Sequence, residues 1–136
     1  MKKLTPMPDT ESRKLIGRTV KELSKISDVK AIYLFGSYAT GKQTRFSDID
    51  ICVITDKKIS ADKKAEIVSN SSEKVEIVLF WELPVIIRYR LLKEGVNLLE
   101  QDRRFLQDAM LSTLREYLDF QPVIKKFANA VGVSYG

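Results

Sequence analysis

Two aspartates stand one residue apart at the head of an apolar run, Asp48-Ile49-Asp50-Ile51-Cys52-Val53-Ile54, and a Gly36-Ser37 pair closes another apolar run ten residues upstream. This spaced arrangement constrains the fold more than any other feature of the chain. Side chains alternate along a strand, so Asp48 and Asp50 belong to one face while Ile49, Ile51 and Val53 belong to the other. Two like charges about 6 to 7 Å apart at an effective dielectric near 20 repel by roughly 2 to 3 kcal/mol. Strand interiors also disfavour Asp. A shared divalent cation reverses the sign of both effects, and ligands that are all oxygen suit Mg²⁺ or Mn²⁺.

The Gly36-Ser37 pair fits the other half of such a site. Gly36 has no Cβ, so backbone and ligand can approach closely. Ser37 suits a helix N-cap, and free N–H groups at a helix start favour phosphate. Lys42 and Arg45 follow within reach of β- and γ-phosphates. Taken alone, Gly-Ser is an ordinary turn, Ser37 an ordinary cap, and the two cations ordinary loop charges. The aspartates at the matching distance give the pair its weight.

A third carboxylate would complete a two-metal site. Glu76 is the leading candidate because it interrupts Val75-Glu76-Ile77-Val78-Leu79-Phe80, where a charge is costly unless paired. Its alternative is an outward-facing position on an alternating strand. Glu82 is a weaker candidate at a strand-to-helix turn. Asp56 and Asp62 read as loop and helix-start charges.

Composition narrows the chemistry. The chain has 136 residues, 44% of them hydrophobic and 30% charged, as expected of one globular domain. There is no histidine, so Ser-His and Cys-His catalysis and histidine-ligated metals are excluded, and a base must be a carboxylate, Lys, Tyr or Cys. The lone Cys52 excludes an internal disulfide and a multi-cysteine zinc site. No run approaches the roughly 20 apolar residues of a membrane span. The start, Met1-Lys2-Lys3-Leu4, lacks a signal-peptide core, so a cytoplasmic location is expected. The net charge of +5 is spread over scattered doublets such as Lys57-Lys58 and Arg103-Arg104, which favours acidic partners and triphosphates over direct nucleic-acid binding.

Periodicity predicts a helix from Asp9-Thr10-Glu11 and a buried strand over Val29 to Phe35. A short turn or helix is expected between Gly36 and Gly41, a strand over Asp48 to Ile54, a charged helix over Ala61 to Asn70 and a strand over Val75 to Phe80. A helix is expected from Leu83 to Glu94, with Gly95 as its stop, then a short edge strand over Val96 to Leu99. A long helix should begin at Arg103, break or kink at Pro122, and give way to a last short helix over Val123 to Val131. This order favours a layered α/β domain with a small mixed sheet flanked by helices.

Gly36-Ser37, ten residues, then Asp48-x-Asp50 resembles the signature of the DNA polymerase beta-like nucleotidyltransferase superfamily. The small size resembles its minimal nucleotidyltransferases (MNT), the antitoxin partners in HEPN–MNT toxin–antitoxin pairs. The likeness runs from about Val29 to Leu99 and includes the Val75-Glu76-Ile77-Val78 strand. It implies a single minimal domain over 1–136, with its core over about 29–99 and C-terminal helices over about 103–131. It further implies a cytoplasmic, Mg²⁺-dependent protein adenylyltransferase that moves AMP from ATP to a tyrosine hydroxyl of a HEPN ribonuclease toxin and so neutralises it, in a hetero-oligomer with that toxin. Gly36 and Ser37, with Lys42 and Arg45, would hold the triphosphate; Asp48, Asp50 and Glu76 would bind two Mg²⁺ ions, with Glu76 as base. The family often has Asp where Glu76 stands and Arg where Thr40 stands. Two other readings remain: an antitoxin with a weak site that acts by stoichiometric binding, and a small-molecule nucleotidyltransferase. Phe120, Val123, Phe127 and Val131 would either meet the toxin or pack on the chain's own sheet.

Overall fold

The computed structural model describes residues 9–44 and 46–133. Arg45 and the residues before Asp9 lie outside the described residues. Helix α1 (Thr10–Ser24) starts at Asp9, whose carboxylate accepts from the Ser12 N–H at 2.8 Å, and it buries Ile16 and Leu23. Strand β1 (Val29–Phe35) leads into a single helical turn, α2 (Ser37–Thr40). Then follow β2 (Ile49–Thr55), α3 (Ala61–Val68), β3 (Val75–Leu79), a 3₁₀ turn over Phe80–Glu82, α4 (Val85–Glu94), β4 (Val96–Glu100) and α5 (Arg103–Ala130).

The four strands form one mixed sheet in the order β3-β2-β1-β4. β1 is antiparallel to both β2 and β4, whereas β2 and β3 run parallel. The two faces sort by parity. Ile32, Leu34, Ile49, Ile51, Val53, Val75 and Ile77 pack on one side under α1 and Ile67 of α3. Ala31, Tyr33, Cys52, Ile54 and Phe80 pack on the other under Leu91 of α4 and Leu106 and Ala109 of α5. Asp50 and Glu76 share parity with Cys52 and Val78, which places them on this second face.

Three local expectations need correction. Pro122 lies inside α5, which runs unbroken to Ala130 instead of ending for a separate helix over Val123 to Val131. The neighbours Leu118 to Phe120, Pro122 and Val123 are exposed, so a carbonyl left without its N–H partner can turn to water. The cap of α2 is Gly36, not Ser37, which is the first helical residue. The last predicted strand residue, Phe80, has turned into the 3₁₀ segment. Gly95 ends α4 as expected, in extended conformation (φ −73°). A Cβ there would collide with the Leu91 carbonyl of α4 itself and come within 3.1 Å of the Leu34 carbonyl of β1, so close backbone approach is what demands glycine. No helix among the described residues is long and apolar enough to cross a membrane.

Candidate active site

The sheet brings the predicted acids together. In the parallel register Asp50 of β2 lies opposite Glu76 of β3, and on the other side Asp50 lies opposite Phe35 of β1. Directly paired residues on neighbouring strands point to the same face, with the strands about 4.8 Å apart. Phe35, Asp50 and Glu76 therefore form one row across three strands. Asp48 precedes β2, exposed, and Glu76 is exposed as well, while Asp50 is half-buried. The carboxyl of Asp50 titrates above the ordinary aspartate value because burial, then the Glu76 charge, then the Asp48 charge disfavour its anion. Asp50 thus feels both neighbouring acids, and no cation among the described residues pairs with any of the three.

Gly36 is the residue that makes room for this row. It sits at φ 73°, ψ −152°, a conformation open essentially to glycine alone. A Cβ on it would run into the Asp50 carboxylate. Gly36 is thus required twice, by backbone conformation and by the side chain across the strand. The Gly36 carbonyl accepts from the Ala39 and Thr40 N–H groups at 3.1 and 3.2 Å, closing α2, and Gly41 ends that turn in left-handed conformation (φ 76°). The Ser37 hydroxyl has no hydrogen bond among the described residues, leaving it available to a ligand. Lys42 is exposed just beyond, its N–H donating to the Ser37 carbonyl at 3.0 Å.

The donor set is all oxygen and fits a hard cation. Among the described residues no three acidic or cysteine side chains stand close enough to form a ready-made metal cage. Mg²⁺ ordinarily takes one or two carboxylates and completes its shell with water and substrate phosphates. The uncompensated repulsion on Asp50 is the feature a cation would relieve.

Glu82 does not belong to this cluster. It lies past the opposite end of β3 and pairs with Lys64 at 3.1 Å. Cys52 is fully buried and burial pushes its thiol well above the ordinary range, so it is no nucleophile. Sequence reasoning missed Lys74. Its Nζ donates to the Ser47 carbonyl and lies 5.7 Å from the Tyr38 ring, and its own carbonyl accepts the Ile49 N–H at 2.8 Å. Lys74 thereby holds the loop that delivers Asp48. The signal was available only once β2 and β3 were known to be parallel, since Ile49 then pairs with Val75.

Comparison with known proteins agrees with this geometry. The profile of the family described as polymerase beta nucleotidyltransferase matches residues 18–104. A Methanocaldococcus jannaschii protein named as a candidate protein adenylyltransferase is 37% identical over 68 residues, which are 50% of this chain and 53% of the relative. A second such protein from that organism is 38% identical over 68 residues, 50% of this chain and 69% of the relative. The matched stretch thus spans about half the length of the first relative. Among solved structures, a toxin–antitoxin complex with AMP-PNP contains a chain with a TM-score of 0.70 at 22% identity, covering 88% of this chain and 98% of that one. A tri-AMPylated Shewanella oneidensis HEPN toxin in complex with MNT antitoxin gives a TM-score of 0.66 at 20% identity, covering 89% and 99%. These structural likenesses establish a common fold.

Proposed function

We propose a reaction from the premise that this chain belongs to the polymerase beta nucleotidyltransferase family: it transfers AMP from ATP to a tyrosine hydroxyl of a HEPN-family toxin in the cytoplasm, and so neutralises that toxin. The observation that carries the reading is the row of Asp50 and Glu76, flanked by Asp48, with the Asp50 carboxylate lying against a glycine that no side chain could replace there.

Asp48 and Asp50 would hold Mg²⁺, with Glu76 supplying a further oxygen. Bound magnesium neutralises charge on the phosphates and lowers the pKa of an attacking hydroxyl. Gly36 and the Ser37 hydroxyl seat the triphosphate, and Lys42 and Arg45 offset its charge. The acceptor oxygen attacks the α-phosphorus, the bond from that phosphorus to the bridging oxygen breaks, and pyrophosphate leaves. Glu76 takes the hydroxyl proton, as the chain has no histidine to do so.

The acceptor protein has a plausible landing place. Helix α5 has 28 residues, about 42 Å. Its first half packs on the sheet through Leu106 and Ala109, but Leu118, Phe120, Val123, Phe127 and Val131 are exposed, Phe127 by 68%. These side chains do not pack on the chain's own sheet, which favours their use against the toxin, and some relatives of this fold sit in toxin–antitoxin complexes. The same stripe also supports inhibition by occupancy alone. Labelled ATP with the purified toxin separates the two. Label transfer that disappears in Asp48→Ala/Asp50→Ala supports the transferase; inhibition that survives in that variant, with no transfer by the wild type, supports occupancy.

A further inference from the structure

Of the three site acids, Asp48 alone stands outside the strands. The parallel β2–β3 ladder sets Asp50 and Glu76 against each other. Asp48 ends the loop that leaves α2, so its place must be fixed by other means. A metal ligand has to be held to within about 0.5 Å of its working position, which takes supporting contacts of its own.

One residue supplies them on both sides of Asp48. The Lys74 Nζ donates to the Ser47 carbonyl, and the Lys74 carbonyl accepts the Ile49 N–H at 2.8 Å. The first bond grips the peptide plane before the Asp48 Cα and the second grips the plane after it. Rotation between those two planes is all the backbone freedom that Asp48 has. Lys74 directly precedes β3, so this clamp ties Asp48 to the strand that carries Glu76. The ammonium has a seat as well. It lies 5.7 Å from the centroid of the Tyr38 ring, and Tyr38 is buried in α2, next to Ser37. The Tyr38 hydroxyl stands 3.2 Å from that of Ser12 in α1, and Ser12 donates to the Asp9 carboxylate at 3.0 Å. Lys74 therefore touches the metal loop and the phosphate turn together. Of its two side-chain contacts, the hydrogen bond from a charged donor is the stronger, so the Ser47 carbonyl is the decisive one.

We propose that Lys74 is a positioning residue of the metal site, which acts through Asp48 by clamping the peptide groups that flank it. The proposal rests on the nucleotidyltransferase reading above. The test is titration of Mn²⁺ into the full chain, followed by electron paramagnetic resonance, with a non-hydrolysable ATP analogue present. Lys74→Met keeps the apolar stem and removes the donor. It is expected to lower Mn²⁺ affinity by about 10-fold or more, the usual loss when a contact that orients a metal ligand is removed. Lys74→Arg keeps a charged donor and should stay within about three-fold of the wild type. In Asp48→Asn, adding Lys74→Met should cost less than about two-fold further, because the ligand that the lysine serves has gone. Single-turnover AMP transfer by Lys74→Met should recover as Mn²⁺ is raised, a response that a general loss of fold would not give. Wild-type Mn²⁺ affinity in Lys74→Met, with only its melting temperature lowered, makes the lysine a plain structural tie and overturns the proposal. A loss that Lys74→Arg does not restore, or an equal loss with and without Asp48, overturns it too. A wild type that binds no Mn²⁺ with the nucleotide overturns the nucleotidyltransferase reading as well.

Discussion

The two ends of the β2–β3 pair are built from similar residue types and treat them in opposite ways. At the far end, the Trp81 indole N–H donates to the Thr55 carbonyl at 2.6 Å, Lys57 lies 4.7 Å from the Trp81 ring, and Glu82 pairs with Lys64 at 3.1 Å. Each of these three groups, Trp81, Lys57 and Glu82, has an opposite. At the near end, Asp50 faces Glu76 with Asp48 beside them, three acids that no cation among the described residues pairs with. A fold that satisfies these charges at one end and leaves acids unmatched at the other makes the second end the candidate ligand site. The unmatched charges, more than the acids as such, mark the site.

Substitutions at the two ends should separate accordingly. Asp48→Ala/Asp50→Ala is expected to lower labelled-AMP transfer by more than about 100-fold, the upper end for losing a residue that merely supports a metal ligand. Glu82→Ala, at the satisfied end, should leave transfer within about two-fold. Glu76→Gln, which keeps shape and removes the proton acceptor, should slow transfer by about 100-fold, the low end for loss of a general base. Binding of MgATP should suffer much less, and single-turnover rates beside calorimetry would expose a different split.

Gly36→Ala sharpens the comparison by stability. The strain of a side chain at φ 73° costs about 1 to 3 kcal/mol, before its overlap with Asp50 is relieved. A fall in melting temperature of at least about 3 °C is expected. Measured against Asp50→Ala alone, Gly36→Ala/Asp50→Ala lacks the overlap, and only the conformational part should remain.

The smallest effect has the most telling sign. A folded-state pKa raised above the ordinary 3.8 means that the folded chain holds the Asp50 proton more tightly than the unfolded one. The stability this adds is complete below that ordinary value and is lost as pH rises through the folded pKa. At pH 7 the ionised Asp50 therefore weakens the fold, and Asp50→Asn should raise the melting temperature of the metal-free protein by about 1 to 3 °C. The gain should vanish below the ordinary aspartate value. A substitution that stabilises the fold while removing activity is the behaviour expected of the near end and not of the far one.

Much of this contrast could be read from the chain. The acids at a period of two in an apolar run, Gly36 before them, and Glu76 breaking a third run all carry a local signature, because burial and charge conflict within a few residues. The sheet order could not be read so, and with it went Lys74, whose meaning depends on β2 and β3 being parallel. Ser37 was expected as the cap because its side chain suits one; the collision at Asp50 gave the position to Gly36 instead. Pro122 was read by its missing N–H, but the exposure around it lets α5 continue.

The account stands on the near-end carboxylates being a binding site for a divalent cation with nucleotide. Titration of Mn²⁺ followed by electron paramagnetic resonance, with a non-hydrolysable ATP analogue present, tests it most directly. Saturable binding by the wild type and by Glu82→Gln, with loss in Asp48→Asn/Asp50→Asn, is the predicted result. Equal Mn²⁺ affinity in the wild type and the double aspartate variant would contradict it.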